Sequence, residues 1–139
     1  MGDVTNRRRA REVALQILFQ MEFVPDIDVG SSLSYFCDHL EIPKESCNYA
    51  EHLLLGIAKH GSQIDEQIAE KSRNWKISRM APVDLCLLRI GVFELCYGEN
   101  EVPPKVAIDE AIEIAKRYGS NDTPQFINGI LDEIFRARA

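Results

Sequence analysis

Arg7-Arg8-Arg9-Ala10-Arg11 places four guanidiniums within five residues. Such groups are permanently charged planar forks, suited to gripping the oxygens of a phosphate or carboxylate. The run continues without Gly or Pro into Glu12–Phe19, where Val13, Ala14, Ile17 and Leu18 recur at helical spacing with Phe19 beside them. The charge is therefore carried by a helix with one buried face, not by a free tail. Arginine at a helix start opposes the macrodipole, whose N-terminal end prefers anions. That cost points to an external anion, best matched by a phosphate backbone. The bland alternative is a solvated helix end.

No other constellation carries chemistry. Cys37, Cys47, Cys86 and Cys96 form no C-x-x-C pair, so small buried thiols rather than a disulfide framework are expected. His39, His52 and His60 show no metal-ligand spacing, and no cofactor or metal is expected. There is no Gly-rich phosphate loop and no G-x-S-x-G. Asp109, Glu110 and Glu113 read as a solvated helix face rather than an acid/base pair, so the chain is not expected to be an enzyme. Arg89, inside an apolar helix, either pairs with a glutamate such as Glu94 or Glu110 or faces a ligand.

The elements that must position these residues are all helical. A chain of 139 residues is expected to form one domain over 1–139, with an ordinary charged and apolar balance. No apolar run is long enough to cross a bilayer, and Asp3 and Glu12 argue against an organelle presequence, so a cytoplasmic protein is expected. The net charge is −6 although the N-terminus is basic, so nucleic acid would be attracted to one patch and repelled elsewhere.

The first helix is expected over Asn6–Phe23, capped by Thr5 or Asn6, and a short second one over Val29–Leu40. Tyr49, Leu53, Ile57, Ile64 and Ile68 keep one phase, predicting a single long helix with a weak point at His60-Gly61 and an end at Asn74-Trp75. Lys76–Met80 is a short connection. Pro82 to Tyr97, apolar almost all round, reads as a central core helix stopped by Gly98. Lys105–Tyr118 is expected to end at a left-handed Gly119. The last helix is expected to have Thr123 as N-cap and Pro124 at its first position, with Gly129 permitting a close approach. With no alternating strand pattern, the fold class is all-α: a single-domain antiparallel helical bundle of about six or seven helices.

Several blocks together resemble the family of the bacterial transcription antitermination factor NusB. They are Arg7–Glu12 with Ala14-Leu15-Gln16, Leu88-Arg89-Ile90 with Glu94-Leu95, Val102-Pro103 with Lys105–Lys116, and Phe126-x-Asn128-Gly129-x-Leu131-Asp132. The blocks span nearly the whole chain and are loosest between Met21 and Lys76. The resemblance implies an RNA-binding protein that pairs with NusE, a small-subunit ribosomal protein. The pair would bind single-stranded boxA RNA of ribosomal RNA leaders and, with other Nus factors, help the transcribing RNA polymerase resist termination. Carried over by position, it implies RNA contacts at Arg7, Arg8, Arg9, Arg11, Asp122, Phe126 and Asn128. It also implies NusE contacts at Asp84, with Phe19 and Trp75 as further partner-side candidates.

Two other readings stay open at this level. One is an RNA-binding module like the N-terminal region of rRNA cytosine methyltransferases, which would need a cofactor-binding α/β domain after Ala139. The other is a structural module that forms a homodimer through its apolar helices, with the arginines incidental.

Overall fold

The computed structural model describes residues 2–73, 75–99 and 101–138. Among them there is no strand, in keeping with the all-α expectation. The helices are α1 (Gly2–Phe23), α2 (Val29–His39), α3 (Lys44–Lys59), α4 (Gly61–Ser72), α5 (Pro82–Val92), α6 (Pro104–Tyr118) and α7 (Thr123–Ala137). A 3-10 turn at Ile77–Arg79 precedes α5, and a π-helical turn at Phe93–Tyr97 follows it. Two compact units form, one ending at Leu55 and the other beginning at Gly56, so the division falls inside α3. None of the described helices is long and apolar enough to cross a membrane.

In the first unit, α1 begins four residues earlier than the caps suggested. Asn6 is inside the helix and is used differently. Its carbonyl accepts the Ser46 hydroxyl at 2.7 Å, and its Nδ2 donates to Glu45 Oε1 at 3.1 Å. The side chain of Thr5, the other expected cap, lies outside the described residues. The arginines consequently sit beyond the first helical turn, where opposition from the macrodipole has faded. Val13, Ala14, Ile17 and Leu18 are buried as their spacing required, and Ala10 and Leu15 join them.

The helix α2 packs against α1 and ends one residue short of Leu40. Glu41 then takes a left-handed conformation (φ 51°) and turns the chain toward α3. This reversal brings Cys37 and Cys47 together as a disulfide with a Cα–Cα separation of 6.2 Å. The expectation of four thiols is thereby corrected. A ten-residue spacing across a helix–turn–helix has no local signature, because the pairing is made by the turn.

The single long helix expected through His60 is in fact two. His60 leaves helical geometry (φ −106°, ψ 18°) between α3 and α4, and its ring stacks on Tyr97 at 4.3 Å. Gly61, a poor helix former, follows directly. At the far end of α4, Arg73 adopts a φ of 51°; Asn74, half of the expected stop, lies outside the described residues.

The helix α5 is the core of the second unit. From Leu85 to Val92 every residue but Arg89 is buried, and α5 packs against α4, α6 and α7. Each such leucine or isoleucine side chain contributes roughly 1.5–3 kcal/mol relative to exposure. Gly91 permits close packing on α7: a Cβ there would lie 2.7 Å from Leu131 Cδ1. Two glycine expectations are corrected. Gly119 is extended rather than left-handed (φ −98°, ψ −175°), and its missing Cβ makes room for Thr123. Gly129 faces open space.

Arg89 also has a carboxylate partner on a neighbouring helix. Its Nε and Nη2 donate to the two oxygens of Asp65 on α4 at 3.0 and 3.1 Å, a two-pronged pair that ties α5 to α4. Asp65 is a partner that helical phase in the sequence does not indicate, in addition to the Glu94 or Glu110 that it does. Glu110, expected on a solvated face, is itself buried.

Candidate functional site

The arginine run divides by helical phase. Arg7 and Arg11, four residues apart, share one face of α1. Their guanidinium carbons lie 4.5 and 5.8 Å from the centroid of the Tyr49 ring on α3. Arg7, Arg8 and Arg9 are half-exposed, whereas Arg11 retains only 2 % of its accessible surface. Arg9 Nη1 approaches Glu12 Oε1 at 3.4 Å, and Glu12 is buried. Three guanidiniums thus reach solvent from a helix whose opposite face is in the core, and the fourth is folded beneath.

Phe19, on the same helix, is 37 % exposed and packs edge-on against Phe23, with ring centroids 5.1 Å apart. These two rings extend an apolar surface on the first unit, apart from the arginine-bearing turns.

In the second unit, the structure brings together residues to which the family resemblance gives different roles. Trp75, Asp84, Asp122 and Phe126 line one cavity of about 320 Å³ together with Arg79, Met80 and Ala81. Trp75 and Phe126 meet edge to face, with centroids 6.3 Å apart and planes at 80°. In this arrangement the edge of one ring meets a face of the other, and more than half of Trp75 is exposed. Asn128, also on α7, is exposed but is not among the residues lining the cavity.

Thr123 links the two walls. Its hydroxyl donates to Asp84 Oδ1 at 2.9 Å and accepts the Ser120 backbone N–H at 3.0 Å. Thr123 is therefore the first residue of α7 rather than its cap, and its side chain is spent on holding the loop to α5. Burial pushes the Asp84 carboxyl above the usual range, and the Thr123 hydrogen bond partly offsets that. Asp122 is exposed, stands in the N-cap position and makes no side-chain capping bond.

Two residues were missed by sequence reasoning. Tyr49 belongs to an apolar stripe in the sequence, and nothing local marks it as an arginine platform. Arg79 sits in a short connection whose basic side chain was the available signal. Among the described residues, no group of His, Cys, Asp and Glu has the arrangement of a metal site.

Comparison with known proteins identifies the family. Residues 8–136 match the model of the NusB family. The transcription antitermination protein NusB of Bdellovibrio bacteriovorus is 41% identical over 134 residues, covering 96% of this chain and 98% of that protein. Its counterpart in Syntrophus aciditrophicus is 44% identical over 129 residues, covering 93% and 79% respectively. Among solved structures, T. maritima NusB superimposes with a TM-score of 0.86 at 38% identity, covering 96% of this chain and 92% of that one. A chain from a crystal structure of antitermination factors NusB and NusE with double-stranded RNA gives 0.84 at 25% identity, covering 96% and 98%. With the match spanning nearly every helix, the chain belongs to the NusB family.

Proposed function

We propose that this chain is an RNA-binding transcription antitermination factor that acts with NusE on boxA RNA of ribosomal RNA leaders. In this reading it helps the transcribing polymerase, with other Nus factors, to resist termination. It works in the cytoplasm as an adaptor and catalyses no reaction. The observation that carries the reading is the set of half-exposed guanidiniums, Arg7, Arg8 and Arg9, on a helix locked to the core. The family membership and the relative solved with NusE and RNA support it.

A division of labour follows. Arg7, Arg8 and Arg9 neutralise phosphates, while Phe126 and Trp75 offer faces for unstacked bases and Arg79 adds positive charge. Asn128 frames the same helix with an amide. Asp84 and Phe19 are proposed to meet NusE. Trp75, grouped with NusE on sequence grounds, shares its cavity with Phe126 and is equally placed to take a base. The net charge of −6 makes binding local and favours sharing the RNA with a partner.

The test is a fluorescence-anisotropy titration of short boxA RNA, with a scrambled RNA alongside, with and without NusE, at two salt concentrations. Binding should prefer boxA and tighten with NusE. Three phosphate contacts on a single strand give a log–log salt slope of roughly −2. Equal binding of boxA and scrambled RNA under every condition would refute the reading.

A further inference from the structure

We propose that Tyr49 is a positioning residue for RNA recognition, its ring pre-setting the Arg7 guanidinium for a phosphate, with Arg11 buried against the same ring as support. The inference rests on the RNA-binding reading above. A long arginine side chain loses rotamer freedom when it grips a phosphate, and one already held over an aromatic face has lost it beforehand. Stacking uses the flat face of the guanidinium and leaves its N–H edges to donate. Arg7, half-exposed with its Cζ 4.5 Å from the ring centroid, fits that role. Arg11, almost wholly buried at 5.8 Å, does not reach a phosphate and instead supplies a second cation at the ring.

The platform is held in place. Ser46, one helical turn before Tyr49, is buried and donates to the Asn6 carbonyl, and Glu45 accepts from the Asn6 side chain. These bonds tie the first turn of α3 to α1 directly beside Arg7. Cys47, in the same turn, is joined to α2 by its disulfide. Tyr49 is therefore fixed relative to the arginines by three neighbouring residues of its own helix.

The experiment repeats the boxA titration with the full chain and its Tyr49→Phe, Tyr49→Leu, Arg7→Ala and Tyr49→Leu/Arg7→Ala variants, over a range of salt. Tyr49→Phe keeps the ring and should bind like the parent. Tyr49→Leu, with helix content retained, should weaken binding roughly threefold to tenfold and flatten the salt slope by about 0.7, the equivalent of one phosphate. The double variant should bind no worse than Arg7→Ala, since both changes remove one contact. A folded Tyr49→Leu with parental affinity and slope overturns the proposal, as does a loss that simply adds to that of Arg7→Ala. Proton NMR of the parent gives a check independent of variant folding. Side-chain protons of Arg7 and Arg11 should be shifted upfield by the ring, and unshifted signals overturn the platform. A parent that binds no RNA overturns the RNA-binding reading and this inference with it. A parent that binds, beside an unaffected Tyr49→Leu, overturns the positioning role alone.

Discussion

Replacing Asp122 by asparagine should tighten RNA binding, and the size of the effect can be worked out from its surroundings. Asp122 is exposed, shares a cavity with Phe126 and Trp75, and makes no side-chain bond to the start of α7. Its carboxylate therefore does little for the fold beyond a favourable placement at a helix N-terminus, worth about 0.3–1 kcal/mol. Toward RNA it is a like charge. A phosphate about 7 Å away in aqueous surroundings is repelled by roughly 0.6 kcal/mol, close to a threefold change in affinity. Screening at physiological ionic strength should cut this to about 1.5-fold. Anisotropy titrations of Asp122→Asn against the parent at low and physiological salt would show tightening that fades as salt rises. Thermal melting should fall by no more than a few degrees. Weaker or unchanged binding at low salt refutes the reasoning, as does a gain insensitive to salt.

Four further predictions concern the frame that holds these groups. Gly129→Ala, where a Cβ meets open space within a helix, should stabilise the chain by about 1 kcal/mol. Gly91→Ala should destabilise it by roughly 1–3 kcal/mol, because the new methyl collides with buried Leu131. Urea unfolding separates the two, and equal effects would contradict the packing described. Because burial raises the Asp84 pKa in the folded chain, protonation at this site favours folding. Its contribution is fully present below the unfolded carboxyl pKa and is lost as pH rises through the folded value. Asp84→Asn keeps an acceptor for Thr123, so it should stabilise the protein at neutral pH and lose that advantage in acid; a neutral-pH loss would refute this. Finally, reducing the Cys37–Cys47 bridge frees a loop with a sequence separation of 10 and should cost about 3 kcal/mol by chain entropy. Melting with and without a dithiol reductant reads this directly, and an unchanged midpoint would show that the bridge adds nothing.

Much of the fold was legible because helices announce themselves locally. Apolar residues three and four apart marked the buried faces of α1, α5, α6 and α7, and Pro82, Pro104 and Pro124 stood in their first turns. The errors fall where a distant contact decides. Asn6 looked like a cap until Ser46 and Glu45 claimed it, and Thr123 until Asp84 and Ser120 did. Gly119 looked like a left-handed stop, yet it is small because Thr123 packs on it. The left-handed positions went instead to Glu41, Arg73 and Glu99, which carry no such signature.

By itself the sequence determined that this chain is helical, which faces of its helices are buried, and that four arginines ride on the first of them. It did so because helix periodicity and side-chain charge are properties of residues a few positions apart. Only the tertiary structure decided that Arg11 is buried while its neighbours reach solvent, that Arg89 pairs with Asp65, and that Trp75 and Asp84 share a cavity with Asp122 and Phe126. Those outcomes depend on which side chain from elsewhere in the chain arrives within a few ångströms, and helical phase carries no record of that.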